Sequence, residues 1–88
     1  MENVEKYKAA ARRWAAMYKV EDEHAITVAS SILMTRDKIW QGGSFVQAVV
    51  DNNLREAINR ADDTCIKYLK FFGIICNNCG SYEILNGE

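Results

Sequence analysis

Cys65-Ile66-Lys67-Tyr68-Leu69-Lys70-Phe71-Phe72-Gly73-Ile74-Ile75-Cys76 is the stretch that decides the fold. Its apolar residues fall on nearly every side of a helix, and only Lys67 and Lys70 interrupt them. The spacing predicts one helix from about Asp63 to Asn77, capped by Asp62 or Asp63. A helix apolar all round is either central to a bundle or packed against another copy. This one is too short and too charged to cross a bilayer. The chain has 88 residues, and a chain of that size buries only roughly 60–65% of the surface its unfolded form exposes. Such a rod is hard to cover on all sides. The expectation is a compact all-α bundle of about five helices, some short, that completes its core by self-association as a homodimer or higher oligomer.

Upstream of the rod, Ile39-Trp40-Gln41-Gly42-Gly43-Ser44-Phe45 reads as a glycine turn feeding a short third helix. Ser44 is the expected N-cap, with Gln47 completing a capping box. Phe45, Val46, Ala48, Val49 and Val50 follow at once, and Asp51-Asn52-Asn53 ends the helix. Asn53 and Glu56 repeat the capping pattern and open a fourth helix through Leu54, Ala57 and Ile58 to about Arg60. Further back, Val4, Tyr7, Ala11, Trp14, Ala15 and Tyr18 recur at helical spacing and predict a first helix from Glu2 to Lys19. Asp22 then caps a second helix, with Ala25, Ile26, Ala29, Ile32 and Leu33 on its core face and an end between Thr35 and Lys38. His24 lies in its first turn, in an exposed or capping position. There is no proline, so the breaks fall to Gly, Asn and Asp. Residues 1–78 form one helical domain in this reading. Residues 79–88 form a loosely held tail, which Tyr82, Ile84 or Leu85 could pin to the core.

Charge and cysteine usage exclude several classes. Lys plus Arg total 11 against 12 Asp plus Glu, which speaks against a protein held to nucleic acid by charge alone. Apolar residues make up 49%, too many for disorder. Met1-Glu2-Asn3-Val4-Glu5 lacks the regions of a signal peptide. The three cysteines, an odd number, argue against a disulfide framework and for a reducing cytosol. The expected location is therefore cytoplasmic. Cys76 and Cys79 form a C-x-x-C pair that, with Cys65 and His24, would make a zinc set of the Cys₃His type. No second tight pair supports it, and the plainer reading is that Cys65 and Cys76 are small core residues.

The chemistry is sparse. There is one His, no readable Ser-His-Asp set and no H-E-x-x-H, so no enzyme, cofactor or metal is expected. Asp62 and Asp63 are adjacent and point in different directions on a helix, which suits capping better than acid–base work. The best candidate binding element is Gly42-Gly43-Ser44. Free N–H groups and a hydroxyl at a helix start hold a phosphate or carboxylate, and the same residues also make an ordinary turn. Residues 1–20 carry five Lys or Arg against two Glu. Lys8 and Arg12 on this flank form either a solvated face or a shallow anion-binding surface. Trp40 is a core anchor or an exposed platform for a base.

From Trp40 to Asn77 the chain resembles a widespread family of small, mostly uncharacterised phage and prophage proteins. The resemblance is carried by Gly43-Ser44-Phe45-Val46-Gln47-Ala48-Val49-Val50, Asn53-Leu54, Ala57 and Arg60-Ala61-Asp62, and by the upstream Arg13-Trp14-Ala15. Asn52-Asn53 stands where family members often read Asn-Asp, and the proline usual after the last helix is missing. The resemblance implies a small helical protein of the infected cell's cytoplasm, with a host-takeover or counter-defence role. Two mechanisms fit. One is a sponge that sequesters a nucleotide immune signal such as a cyclic dinucleotide, gripping phosphate with Gly42, Gly43, Ser44, Arg60, Lys8 and Arg12 while Trp40 stacks on a base. The other is a blocker that covers the working surface of a host protein with exposed apolar residues. A transcription regulator is a weaker third, since no helix-turn-helix is readable.

Overall fold

A computed structural model describes residues 2–87 and shows an all-α protein. Seven helices run through the described residues: α1 (Glu2–Met17), α2 (Glu23–Arg36), α3 (Ser44–Val50), α4 (Leu54–Arg60), α5 (Asp63–Lys67), α6 (Leu69–Asn78) and α7 (Ser81–Asn86). None of them is long and apolar enough to cross a membrane.

The central helix is α2 rather than the C-terminal rod. It buries Ala25, Ile26, Ala29, Ser30, Ile32, Leu33, Met34 and Thr35 and packs on α1, α3, α5 and α6. Its start is fixed by Asp22, whose carboxylate accepts from the backbone N–H groups of His24 at 2.9 Å and Ala25 at 3.2 Å. Around it, α1 contributes Tyr7, Ala10, Ala11 and Ala15. The three alanines are small and fully or almost fully buried, which suits the close packing of α1 on α2. Tyr18, expected on the same stripe, lies beyond the helix end, half exposed and stacked on Trp14.

The rod's phenylalanines and Ile75 are covered by the chain itself, which corrects the reason given for self-association, whereas Ile66 stays 48% exposed. Phe72 and Ile75 are fully buried and Phe71 is only 5% exposed. Phe72 meets Phe45 of α3 edge to face at 5.8 Å between centroids, and Phe71 meets Tyr18. The rod is also two helices. Tyr68 takes φ −108° and ψ 19°, between the α and β regions, and separates α5 from α6. Neither Gly nor Pro marks the place, so no breaker in the sequence announces it.

The expected tail is a helix. Ile84 is fully buried, whereas Tyr82 and Leu85 face outward. Three polar contacts tie α7 to α1: Trp14 Nε1 donates to Glu83 Oε2 at 3.2 Å, Arg13 Nη2 to the Glu83 carbonyl at 3.5 Å and Lys6 Nζ to the Leu85 carbonyl at 2.9 Å. Glu83 Oε1 also accepts from the Gly80 N–H at 3.2 Å, which seals the start of the helix. A helix this short has little stability of its own, so these contacts and Ile84 make it.

A partly buried clasp closes the body. Arg36 Nη1 donates to the carbonyls of Cys76 at 2.8 Å and Cys79 at 2.6 Å, and Nε donates to Asp37 Oδ1 at 2.9 Å. Asp37 Oδ2 accepts from Tyr7 Oη at 2.7 Å and Ser81 Oγ at 2.8 Å. Burial alone would raise the Asp37 carboxyl, but the bonds from Arg36, Tyr7 and Ser81 outweigh it and hold it below its ordinary range. Burial, then the bond to Asp37, pushes the Tyr7 hydroxyl up to about 12.

Helices α1, α2 and α3 all stop by one device. The N–H groups of Val20, Ile39 and Asn53 reach back five residues to the carbonyls of Ala15, Met34 and Ala48, at 2.8, 3.0 and 2.8 Å. The residue before each donor is left-handed: Lys19 at φ 60°, Lys38 at φ 65° and Asn52 at φ 60°. This is the Schellman arrangement, normally built with glycine. Two of the three positions are lysines, so at these three ends the expectation that Gly, Asn and Asp supply the breaks holds only at Asn52, while Gly87 at φ 76° ends α7 as expected. A lysine there carries a Cβ penalty of about 1 kcal/mol. Lys19→Gly should therefore stabilise the protein by roughly 0.5–1 kcal/mol in urea denaturation, an unusual sign for a glycine substitution. A loss of stability would show that Lys19 does not hold this conformation.

Candidate functional site

Two surface features lie on the α3–α4 side of the body. The first is the turn between α2 and α3. Its indole, Trp40, is 49% exposed, and Nε1 donates to Ser31 Oγ at 3.1 Å, so the ring is anchored as a shelf rather than sunk in the core. The shelf borders an open groove of about 570 Å³ lined by Arg36, Lys38, Gln47 and Asp51 among others. That volume lies in the range of small-molecule sites.

The glycines in this turn are mainly structural. The Gly42 N–H donates to Thr35 Oγ1 at 3.0 Å, so it is not free for an anion. A Cβ at Gly42 would stand 2.7 Å from a methyl of Val46 and 3.0 Å from Thr35 Oγ1, which is why no larger residue fits. Gly43 has open space around it. It is Gly43, not Ser44, that caps α3; Ser44 is the first helical residue, and no side chain bonds the cap. Gln47 Nε2 reaches back to the Gly42 carbonyl at 3.4 Å instead of closing a capping box. The other caps fall where the sequence places them: Asn53 Oδ1 accepts from the Glu56 N–H at 3.1 Å, and Asp62 Oδ1 from the Cys65 N–H at 2.8 Å.

The cations expected to grip phosphate are not gathered at this turn. Arg12 forms a two-pronged pair with Glu23, both contacts at 2.9 Å, which lashes α1 to the start of α2. That pairing lowers the Glu23 carboxyl. Arg60 Nε lies 3.6 Å from Glu56 Oε2 one turn back on α4. Lys8 stands exposed on α1, which packs chiefly on α2, α6 and α7, whereas α3 packs on α2, α4 and α6. Arg36, at the groove, is committed to Asp37 and two carbonyls. Lys38 is the cation that remains there, and Asp51 opposes it.

The second feature is a cleft between α3, α4 and α6, about 130 Å³ in volume. Val49, Leu54, Ala57, Leu69 and Gly73 supply its apolar wall, and Asn52, Asn53 and Asn77 its polar rim. Beside it, α4 exposes Leu54 (63%) and Ile58 (46%), one turn apart on one face. This feature was absent from the sequence reading, where Leu54 and Ile58 counted as ordinary helix residues. The available signal was two large apolar residues at a four-residue spacing on a helix too short to bury both.

The thiols are not activated. Burial pushes Cys65 and Cys79 up to about 11, and it raises Cys76 as well. Cys76 and Cys79 present their carbonyls to Arg36. They do not join Cys65 and His24, so the Cys₃His set does not form.

No protein-family model, curated protein or solved structure matches the chain.

The turn supplies a direct test of packing. Gly42→Ala should cost roughly 1–3 kcal/mol, as overpacking does. Val46→Ala in the same chain should recover part of that loss, since it removes the methyl the new Cβ strikes. Equal losses with and without Val46 would place the constraint elsewhere.

Proposed function

We propose that this chain is a non-catalytic binding protein that acts by covering a surface of a host protein, in the host-takeover or counter-defence setting implied by its resemblance to small phage proteins. The observation that carries the reading is the exposed Leu54–Ile58 face of α4 beside the α3–α4–α6 cleft. Large aliphatic side chains at that exposure lose energy in water and gain it when a partner covers them, at about 25 cal/mol per Å² of apolar area. A cleft of about 130 Å³ lies below the roughly 300 Å³ at which small-molecule sites begin. It suits one or two anchor side chains of a partner. Asn52, Asn53 and Asn77 supply hydrogen-bonding groups around it, the polar rim typical of an interface.

A specific observation favours a second reading, the nucleotide sponge. Trp40 is anchored through its N–H and offers its ring beside a groove of suitable volume, with Lys38 at hand. The weakness of this reading within one chain is the phosphate grip, because Arg12 and Arg60 are paired to their own glutamates. A self-associating chain would bring a second set of cations, so an oligomer belongs with this reading.

Purification of tagged protein from infected cells should carry a host protein with it, in amounts that fall at least roughly tenfold for Leu54→Glu/Ile58→Glu, since one interface anchor is worth about 1–2 kcal/mol. Both side chains are exposed, so circular dichroism should be unchanged. Full retention of the partner by the double variant would overturn the reading. Saturable heat with a cyclic dinucleotide, abolished by Trp40→Ala, would replace it with the sponge. A concentration-dependent dimer in sedimentation that the double variant abolishes would make a second copy the occupant of this face.

A further inference from the structure

We infer that His24, Asp62 and Cys65 form a binding site for one zinc ion that fastens α5 to the central helix. The side-chain ligand atoms of these three residues all lie within 4.8 Å of one another. They come from separate places in the chain: the first turn of α2, the cap of α5, and α5 itself.

Two helix caps set their positions. Asp22 fixes the first turn of α2 through the N–H groups of His24 and Ala25. Asp62 spends Oδ1 on the N–H of Cys65 at 2.8 Å. Its second oxygen, Oδ2, is left 3.4 Å from His24 Nε2. As a hydrogen bond that distance is long. As the edge of a zinc tetrahedron it is right, because bonds of about 2.0–2.1 Å at a tetrahedral angle place two donors about 3.3 Å apart. With a Zn–S bond of about 2.3 Å, sulfur belongs about 3.6 Å from the other donors. Closing from at most 4.8 Å asks for a shift of at most about 1 Å, within the reach of small side-chain rotations at these three residues.

The environment suits the ion. Cys65 lies on the buried side, while the His24 and Asp62 side chains are more than half exposed and leave an entry path and a place for water as fourth ligand. Thiolate and carboxylate together cancel the charge of a divalent ion. A sulfur, nitrogen and oxygen donor set selects zinc over magnesium or calcium. Without metal the thiol keeps its proton, so binding is an exchange: the Cys65 S–H bond breaks, an S–Zn bond forms, and one proton leaves to solvent. No electron moves. A five-residue helix has little stability alone, and α5 packs on α2, so the ion would act as a staple between them.

Cobalt(II), the spectroscopic stand-in for zinc, tests this in the reduced full-length chain. Titration should produce a thiolate-to-cobalt charge-transfer band and the intense visible bands of a four-coordinate ion, and one equivalent of zinc should erase both. Cys65→Ser should lose the charge-transfer band, while Cys76→Ser should keep it. His24→Ala changes an exposed residue and should leave the metal-free fold intact. It should weaken binding by roughly tenfold or more, since losing a ligand costs at least as much as losing an outer-shell partner. A band that survives Cys65→Ser, a band that disappears with Cys76→Ser, unchanged affinity in His24→Ala, or no band in the unaltered chain would each overturn the site.

Discussion

The guanidinium of Arg36 is where the two ends of this chain meet. The last carbonyls of α6 have no partner within their own helix, and Arg36 reaches across from α2 to satisfy those of Cys76 and Cys79. Its charge is answered by Asp37, and Asp37 in turn collects Tyr7 from α1 and Ser81 from α7. Four helices therefore share one partly buried ion pair. Such a pair contributes little net stability, because desolvation offsets much of the attraction. Its strength is directional: removing either partner strands the other in a poorly solvated place. Even here Arg36 Nη2 is buried without a partner, so the arrangement sacrifices one donor to hold the rest.

With this clasp in place the short chain wraps its own apolar C-terminal segment. Phe72 and Ile75 vanish beneath α2 and α3, Ile84 fills the space between α1 and the body, and α2 becomes the helix surrounded on most sides. Much of this was legible from residue spacing. The starts of α2, α4 and α5 follow from Asp22, Asn53 and Asp62, whose side chains each bond a backbone N–H in the first turn. Features set by distant partners were not legible. Nothing periodic joins Arg36 to a carbonyl 43 residues away, and the Gly80–Glu83 capping contact alone does not announce a docked helix over the six residues after Gly80. The left-handed lysines escaped for a related reason: the backbone bond from the next residue holds them there, and their side chains carry no sign of it. Ser44 misled because it has the chemistry of a cap but stands one residue inside the helix.

The same closure redistributes the candidate site. Gly42 serves packing against Val46 and Thr35, Arg12 serves the joint between α1 and α2, and Arg60 pairs within α4. Residues that sequence alone groups as a phosphate grip are thus divided among structural tasks. Of the exposed apolar side chains, Trp40 borders the groove, and Leu54 and Ile58 of α4, which packs chiefly on α3, stand at the cleft. These two surfaces lie apart from the zinc site formed by His24, Asp62 and Cys65.

Native-state hydrogen exchange at single-residue resolution tests the closure most directly. The account predicts that the amides of Cys79 and Ile84, bonded to the carbonyls of Ile75 and Gly80, exchange only when the whole protein opens, with protection equal to that of the α2 core. In Arg36→Leu that protection should collapse in α7 first. Exchange of the Ile84 amide near the rate of an unstructured peptide in the unaltered chain would mean that the last helix is not docked, and the account of a self-covered body would be wrong.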